Sequence, residues 1–133
     1  MTVELRNAAS LPEPQGFSHA SIAPGGRIVH LAGQLGSDAD GVLADGLAAQ
    51  TERALGNLVE ALRAASAEPE HLVKTTIYVV RWSESMQPQL FEGIIAAGST
   101  TRLPQVPITL IGVHSLFLDD ALVEIEGTAV LPD

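Results

Sequence analysis

Apolar positions along the chain switch between two periods, and the switches mark the elements. Residues 27–32 (RIVHLA) form an apolar-rich run that ends at Gly33-Gln34, which predicts a strand leading into the turn-rich stretch Asp38-Ala39-Asp40-Gly41. From residue 45 to about 65, Leu47, Thr51, Ala54, Leu55, Leu58, Leu62 and Ala65 fall on one 3.6-residue stripe, with Gln50, Arg53, Asn57 and Glu60 on the other side. That pattern predicts a helix with one face to bury, and Asp45 is its expected cap. Pro69 disfavours continuation, and residues 72–80 (LVKTTIYVV) are β-branched enough for an interior strand.

A second helix is expected from a cap at Ser83 or Ser85 to about Ala97, with Pro88 tolerated near its first turn and Gly98 as its stop. Met86, Leu90, Phe91, Ile94 and Ile95 supply its apolar side. Residues 108–114 (ITLIGVH) and 121–131 (ALVEIEGTAVL) read as the last two strands, and residues 99–107 as a loop. The opening, residues 1–25, carries Pro12, Pro14 and Pro24 and reads as loops around short edge strands, one at residues 3–6.

Two one-sided helices beside several strands predict an α+β domain of two layers, with both helices on one face of a mixed sheet. The strands also say something of the other face. In the last strand Val123, Ile125, Gly127 and Ala129 alternate with Glu124, Glu126, Thr128 and Val130; in residues 73–80, Val73, Thr75, Ile77 and Val79 alternate with Lys74, Thr76, Tyr78 and Val80. A second face that is partly apolar predicts an oligomer.

Composition narrows the function classes. The length of 133 residues suits a single domain, residues 1–133, that needs neither disulfide nor structural metal. With no cysteine, thiol catalysis and thiolate metal sites are excluded. The 16 acids against 7 Lys+Arg give a formal charge of -9, which argues against a nucleic-acid partner. No leader-like opening or 18-residue apolar run is present, so no membrane partner and a cytoplasmic location are expected. His19, His30 and His71 lie far apart without metal-ligand spacing, and there is neither a GxGxxG nor a GK[ST] element. Neither metal nor cofactor is expected.

Several segments, in order and spacing, are similar to those of one known family. Phe17-Ser18 resembles its early Tyr-Ser segment, and IVHLAGQLG at residues 28–36 resembles its strand ending in Ser-Gly-Gln. QTERALGNLVEALRAA at residues 50–65 looks like its first long helix, followed by HLVKTTIYVV at residues 71–80. Gly112-Val113 and ALVEIEGTAV at residues 121–130 look like its C-terminal signature. The family is the RidA-like, or YjgF/YER057c/UK114, family. The resemblance implies a chorismate-mutase-like fold with a sheet of about six strands, assembled as a homotrimer with small-molecule clefts between subunits. It also implies hydrolysis of reactive enamines and imines to a 2-keto acid and ammonia.

The same resemblance assigns residues. It places the family's water-associated glutamate at Glu124, the catalytic candidate, and an early second-helix asparagine at Gln87. It places Ile108 where the family carries the arginine that holds a substrate carboxylate, and isoleucine cannot make that bidentate grip. Activity on standard 2-imino acids is therefore expected to be weak or absent, with imines, enamines or related C=N compounds as substrates. Ser18 offers a hydroxyl to a polar ligand beside Phe17, and Gly33 a close backbone approach at a pocket wall. Phe91 lines the cleft beside Gln87, Arg102 is a candidate replacement cation, and His114 a candidate acid–base group. Two other readings fit the sequence: a small-molecule-binding or interaction protein without turnover, and a different enzyme on the same fold.

Overall fold

The computed structural model describes residues 3–133, so the first two residues of the expected opening loop lie outside it. Among the described residues there are six strands and two α-helices. β1 (Glu4–Arg6) and β2 (Ala20–Ile22) form a two-stranded antiparallel ribbon. Then follow β3 (Arg27–Leu35), α1 (Leu47–Ala64), β4 (Leu72–Val80), α2 (Gln87–Thr100), β5 (Ile108–Val113) and β6 (Val123–Leu131).

The main sheet has the order β3-β6-β4-β5. β6 runs antiparallel to both β3 and β4, while β4 and β5 are parallel. Parallel neighbours need a long crossover, and α2 supplies it between β4 and β5. The ribbon is tied to the sheet by the Ser21 hydroxyl, which donates to the Val73 carbonyl at 2.6 Å. The two-layer α+β architecture expected from the pattern is the one observed.

The core lies between the sheet and the helices. Leu58 and Leu62 of α1, Leu90 of α2, Ile77 and Val79 of β4 and Val123, Ile125 and Ala129 of β6 are all buried. Burial alternates residue by residue along β6, with Glu124, Glu126, Thr128 and Val130 half-buried on the opposite, open face. The two helices meet closely at Gly93, where an added Cβ would lie 2.6 Å from the Thr51 Cβ.

Several expected details differ. α1 begins at Leu47 behind Gly46 (φ 90°), so Asp45 stands one residue too early to cap it. Gln50, expected on the exposed side of α1, is buried: its Nε2 donates to the carbonyls of Ala44 and Asp120, and its Oε1 accepts the Leu122 N–H at 2.8 Å. Helical periodicity sorts side chains by polarity and cannot foresee a loop that needs both ends of an amide. Gly98 does not stop α2, which continues to Thr100 before Thr101 turns extended. Ser83 precedes a single 3-10 turn, Glu84–Met86, that leads into α2. β3 runs three residues past its expected end, to Leu35, through a register shift between Leu31 and Gln34.

Candidate functional site

Glu124 sits near the start of β6 on the open face, where its cross-strand neighbours are Tyr78 of β4 and Leu35 of β3. Glu126 is on the same face by strand alternation. The Tyr78 hydroxyl donates to Glu126 Oε1 at 2.7 Å. That hydrogen bond, then partial desolvation, then the negative charges of Glu126 and Glu124 raise the Tyr78 pKa above its ordinary 10.0. The phenol is therefore a neutral donor at physiological pH, held between two acids.

Gly33 explains how Glu124 is accommodated. A Cβ on residue 33 would lie 2.7 Å from the carboxyl carbon of Glu124 and 2.8 Å from its Cγ. Only a residue without a side chain leaves that space, which arises where β3 and β6 shift register. Among the described residues Glu124 has no ion pair and no side-chain hydrogen bond; the ion pairs are Arg6–Glu4, Arg63–Glu60 and Arg63–Glu68. Lys74 of β4, whose cross-strand partner on this face is Thr128, donates to the Thr109 hydroxyl at 2.6 Å. Lys74 also lines a polar hollow of about 230 Å³ with His30, Thr76, Glu126 and Thr128.

Ile108 lies on the other side of the sheet. It is in register with the buried Thr75 and packs against the core below the helices. A cavity of about 330 Å³ on this helix side brings together Ile108, Arg102 and Gly16, the residue before Phe17. Phe17 is half-buried with its ring edge-on to His19, centroids 6.1 Å apart, and Ser18 is buried. Gln87 and Phe91 are exposed on the first two turns of α2, and His114 is exposed just past β5. None of these three lines the Ile108 cavity or the hollow beside Glu126. Within one chain, then, the sheet separates Glu124 and Gly33 from Arg102 and Ile108.

Tyr78 is the functional candidate that sequence reasoning passed over. Alternation puts it on the same type of face as Glu124, but only the β4–β6 register shows that the two are direct neighbours. No group of three or more His, Cys, Asp or Glu side chains able to hold a metal is found among the described residues. No helix among them is long and apolar enough to cross a membrane.

Comparison with known proteins gives this geometry its context. The family profile for Endoribonuclease L-PSP matches residues 8–131. A Yersinia pestis protein, described as a conserved Rid-family protein of unknown function, is 34% identical, with 98% of this chain and 100% of that one covered and a TM-score of 0.85. A Mycobacterium tuberculosis member of the YjgF/YER057c/UK114 family is 28% identical, with 98% and 100% covered and a TM-score of 0.63. RidA from an Antarctic Psychrobacter is 25% identical, with 98% and 99% covered and a TM-score of 0.68. A search of curated proteins gave no match. A family match over nearly the whole chain, together with full-length likeness at 34% identity, shows that this chain belongs to the Rid family, also called the YjgF/YER057c/UK114 or Endoribonuclease L-PSP family.

Proposed function

We propose that the protein is a hydrolase of small-molecule imines and enamines, with Glu124 as the catalytic residue and the open sheet face as one wall of the site. The observation that carries this reading is the placement of Glu124. Its carboxylate occupies space left by Gly33, has no cation to neutralise it among the described residues, and stands beside the Tyr78–Glu126 hydrogen bond. A carboxylate so placed can take a proton from water as the oxygen adds to a C=N carbon. Glu124 returns that proton to the nitrogen, and the carbinolamine then breaks its C–N bond, expelling ammonia as its hydroxyl proton passes by way of the carboxylate to the leaving nitrogen and the C=O bond forms; an enamine reaches the same path after tautomerising to its imine. Tyr78 fixes Glu126 and supplies a neutral O–H in the same neighbourhood.

The separation of the candidates by the sheet favours a site completed by a second copy. A copy that covers the open face would bring polar groups of its own, such as those at the start of α2, opposite Glu124. This is the cleft between subunits that the family resemblance implies. The exposed Ile28 and Ile111 give the strands of this face an apolar contact to bury. With Ile108 facing the core rather than Glu124, the substrates favoured are those that do not depend on a carboxylate grip at position 108. The test is ammonia release from freshly generated imines by the native protein and its E124Q variant; equal rates for the two proteins would remove Glu124 from the mechanism.

A further inference from the structure

The cavity around Ile108 has a chemistry of its own. α2 leans on α1 at Gly93, and the space between the second half of α2 and the start of β4 and β5 is left unfilled. Leu58, Leu72 and Ile125, all fully buried, form its floor, while the half-buried Ile94 and Ile108 form walls. Its rim is exposed, with Ile95 at 73% exposure and Arg102 beside it. In a chain of 16 acids no acidic side chain among the described residues lines this cavity, and Arg102 is the only charged group among those that do.

Arg102 is also uncommitted. It borders a neighbouring depression containing Arg63, Glu68 and Glu70, but there Glu68 pairs with Arg63 at 3.7 Å. Arg102 makes no ion pair or side-chain hydrogen bond among the described residues. A guanidinium at the mouth of an aliphatic cavity favours a ligand with an apolar body and one anionic end. Size sets the body. An aliphatic-lined cavity of roughly 150 Å³ holds benzene, so a cavity of about 330 Å³ has room for roughly a dozen non-hydrogen atoms.

We infer that this helix-side cavity is a binding site for medium-chain aliphatic monocarboxylates, with the chain between α2 and the sheet and the carboxylate on Arg102. The lining contains no aromatic side chain, which matches a flexible alkyl chain better than a ring. Nothing in this site depends on imine hydrolysis, because Glu124 lies across the sheet from it.

Decanoate titrated into the full chain, followed calorimetrically, tests the site. One saturable site per chain is expected. R102Q should weaken decanoate by about tenfold or more, the scale of a charge-assisted hydrogen bond, while leaving decanol unaffected. Gly98→Leu (G98L) should abolish binding: residue 98 lines the cavity, an added Cβ there meets nothing within 4 Å, and leucine suits a helix interior better than glycine. E124Q should bind decanoate as the native chain does. Absence of saturable binding overturns the inference, as does unchanged affinity in either R102Q or G98L with native-like circular dichroism.

Discussion

The residue that best connects sequence to chemistry is one without a side chain. Gly33 leaves room for Glu124, so Gly33→Ala should displace the carboxyl group. The expected outcome is a fall in imine turnover of at least tenfold with the fold retained, checked by comparing rates and circular dichroism of G33A with the native chain. Tyr78 gives a second test at this scale. It is the chain's single tyrosine, so its ultraviolet absorbance titration reports this group alone. The pKa should lie above 10, and E126Q should bring it down by removing the accepting carboxylate. Because the folded value is raised, the folded chain keeps this proton to higher pH than the unfolded chain. The associated stability is present below the unfolded value of about 10 and is lost as pH rises through the folded value. Urea midpoints measured across that alkaline window should fall further for the native chain than for Y78F. The sequence could mark Glu124 and Gly33 as candidates, but not that they touch, because the contact depends on a register shift in β3.

At the level of elements, periodicity located what packing enforces. Residues 72–80 emerge as a strand with the expected bounds, set between the Pro69 turn and Arg81, whose φ of 50° ends the extended run. α1 likewise buries Leu47, Thr51, Ala54, Leu55, Leu58 and Leu62 as its stripe predicts. Where a boundary depends on a distant partner, the pattern was silent. Three-residue β2 has too few positions to show alternation, and α2 runs through Gly98 because the glycine keeps a helical backbone there. Gln50 is the sharpest case. Its amide joins α1 to the loop before β6, so Gln50→Leu should leave the Leu122 N–H and two carbonyls without partners. The expected cost is about 2 kcal/mol or more, measured as a shift in the urea unfolding free energy.

For the molecule as a whole, the two faces of one sheet divide the labour. The helix side holds the core and an aliphatic cavity marked by Arg102, while the open side holds Glu124, Glu126, Tyr78 and Lys74 with the exposed Ile28 and Ile111. A subunit with such an open face should self-associate. Light scattering of the native chain is expected to give about three times 13.9 kDa, and Ile28→Asp to give the monomer mass. The fold class was legible because it follows from element order and one-sided patterning. The relation of Glu124 to Ile108 was not, since placing them on opposite faces requires knowing which strands are neighbours.

Hydrolysis of C=N compounds at Glu124 should be visible as ammonia release. Freshly generated 2-imino acids and an uncharged imine should be presented separately to the native protein and to E124Q. The uncharged imine should be turned over at a rate that E124Q lowers by at least a hundredfold, with the 2-imino acids turned over more slowly by the native chain. Release no faster than the uncatalysed rate for either substrate class, or turnover that E124Q leaves unchanged, would remove Glu124 from this chemistry.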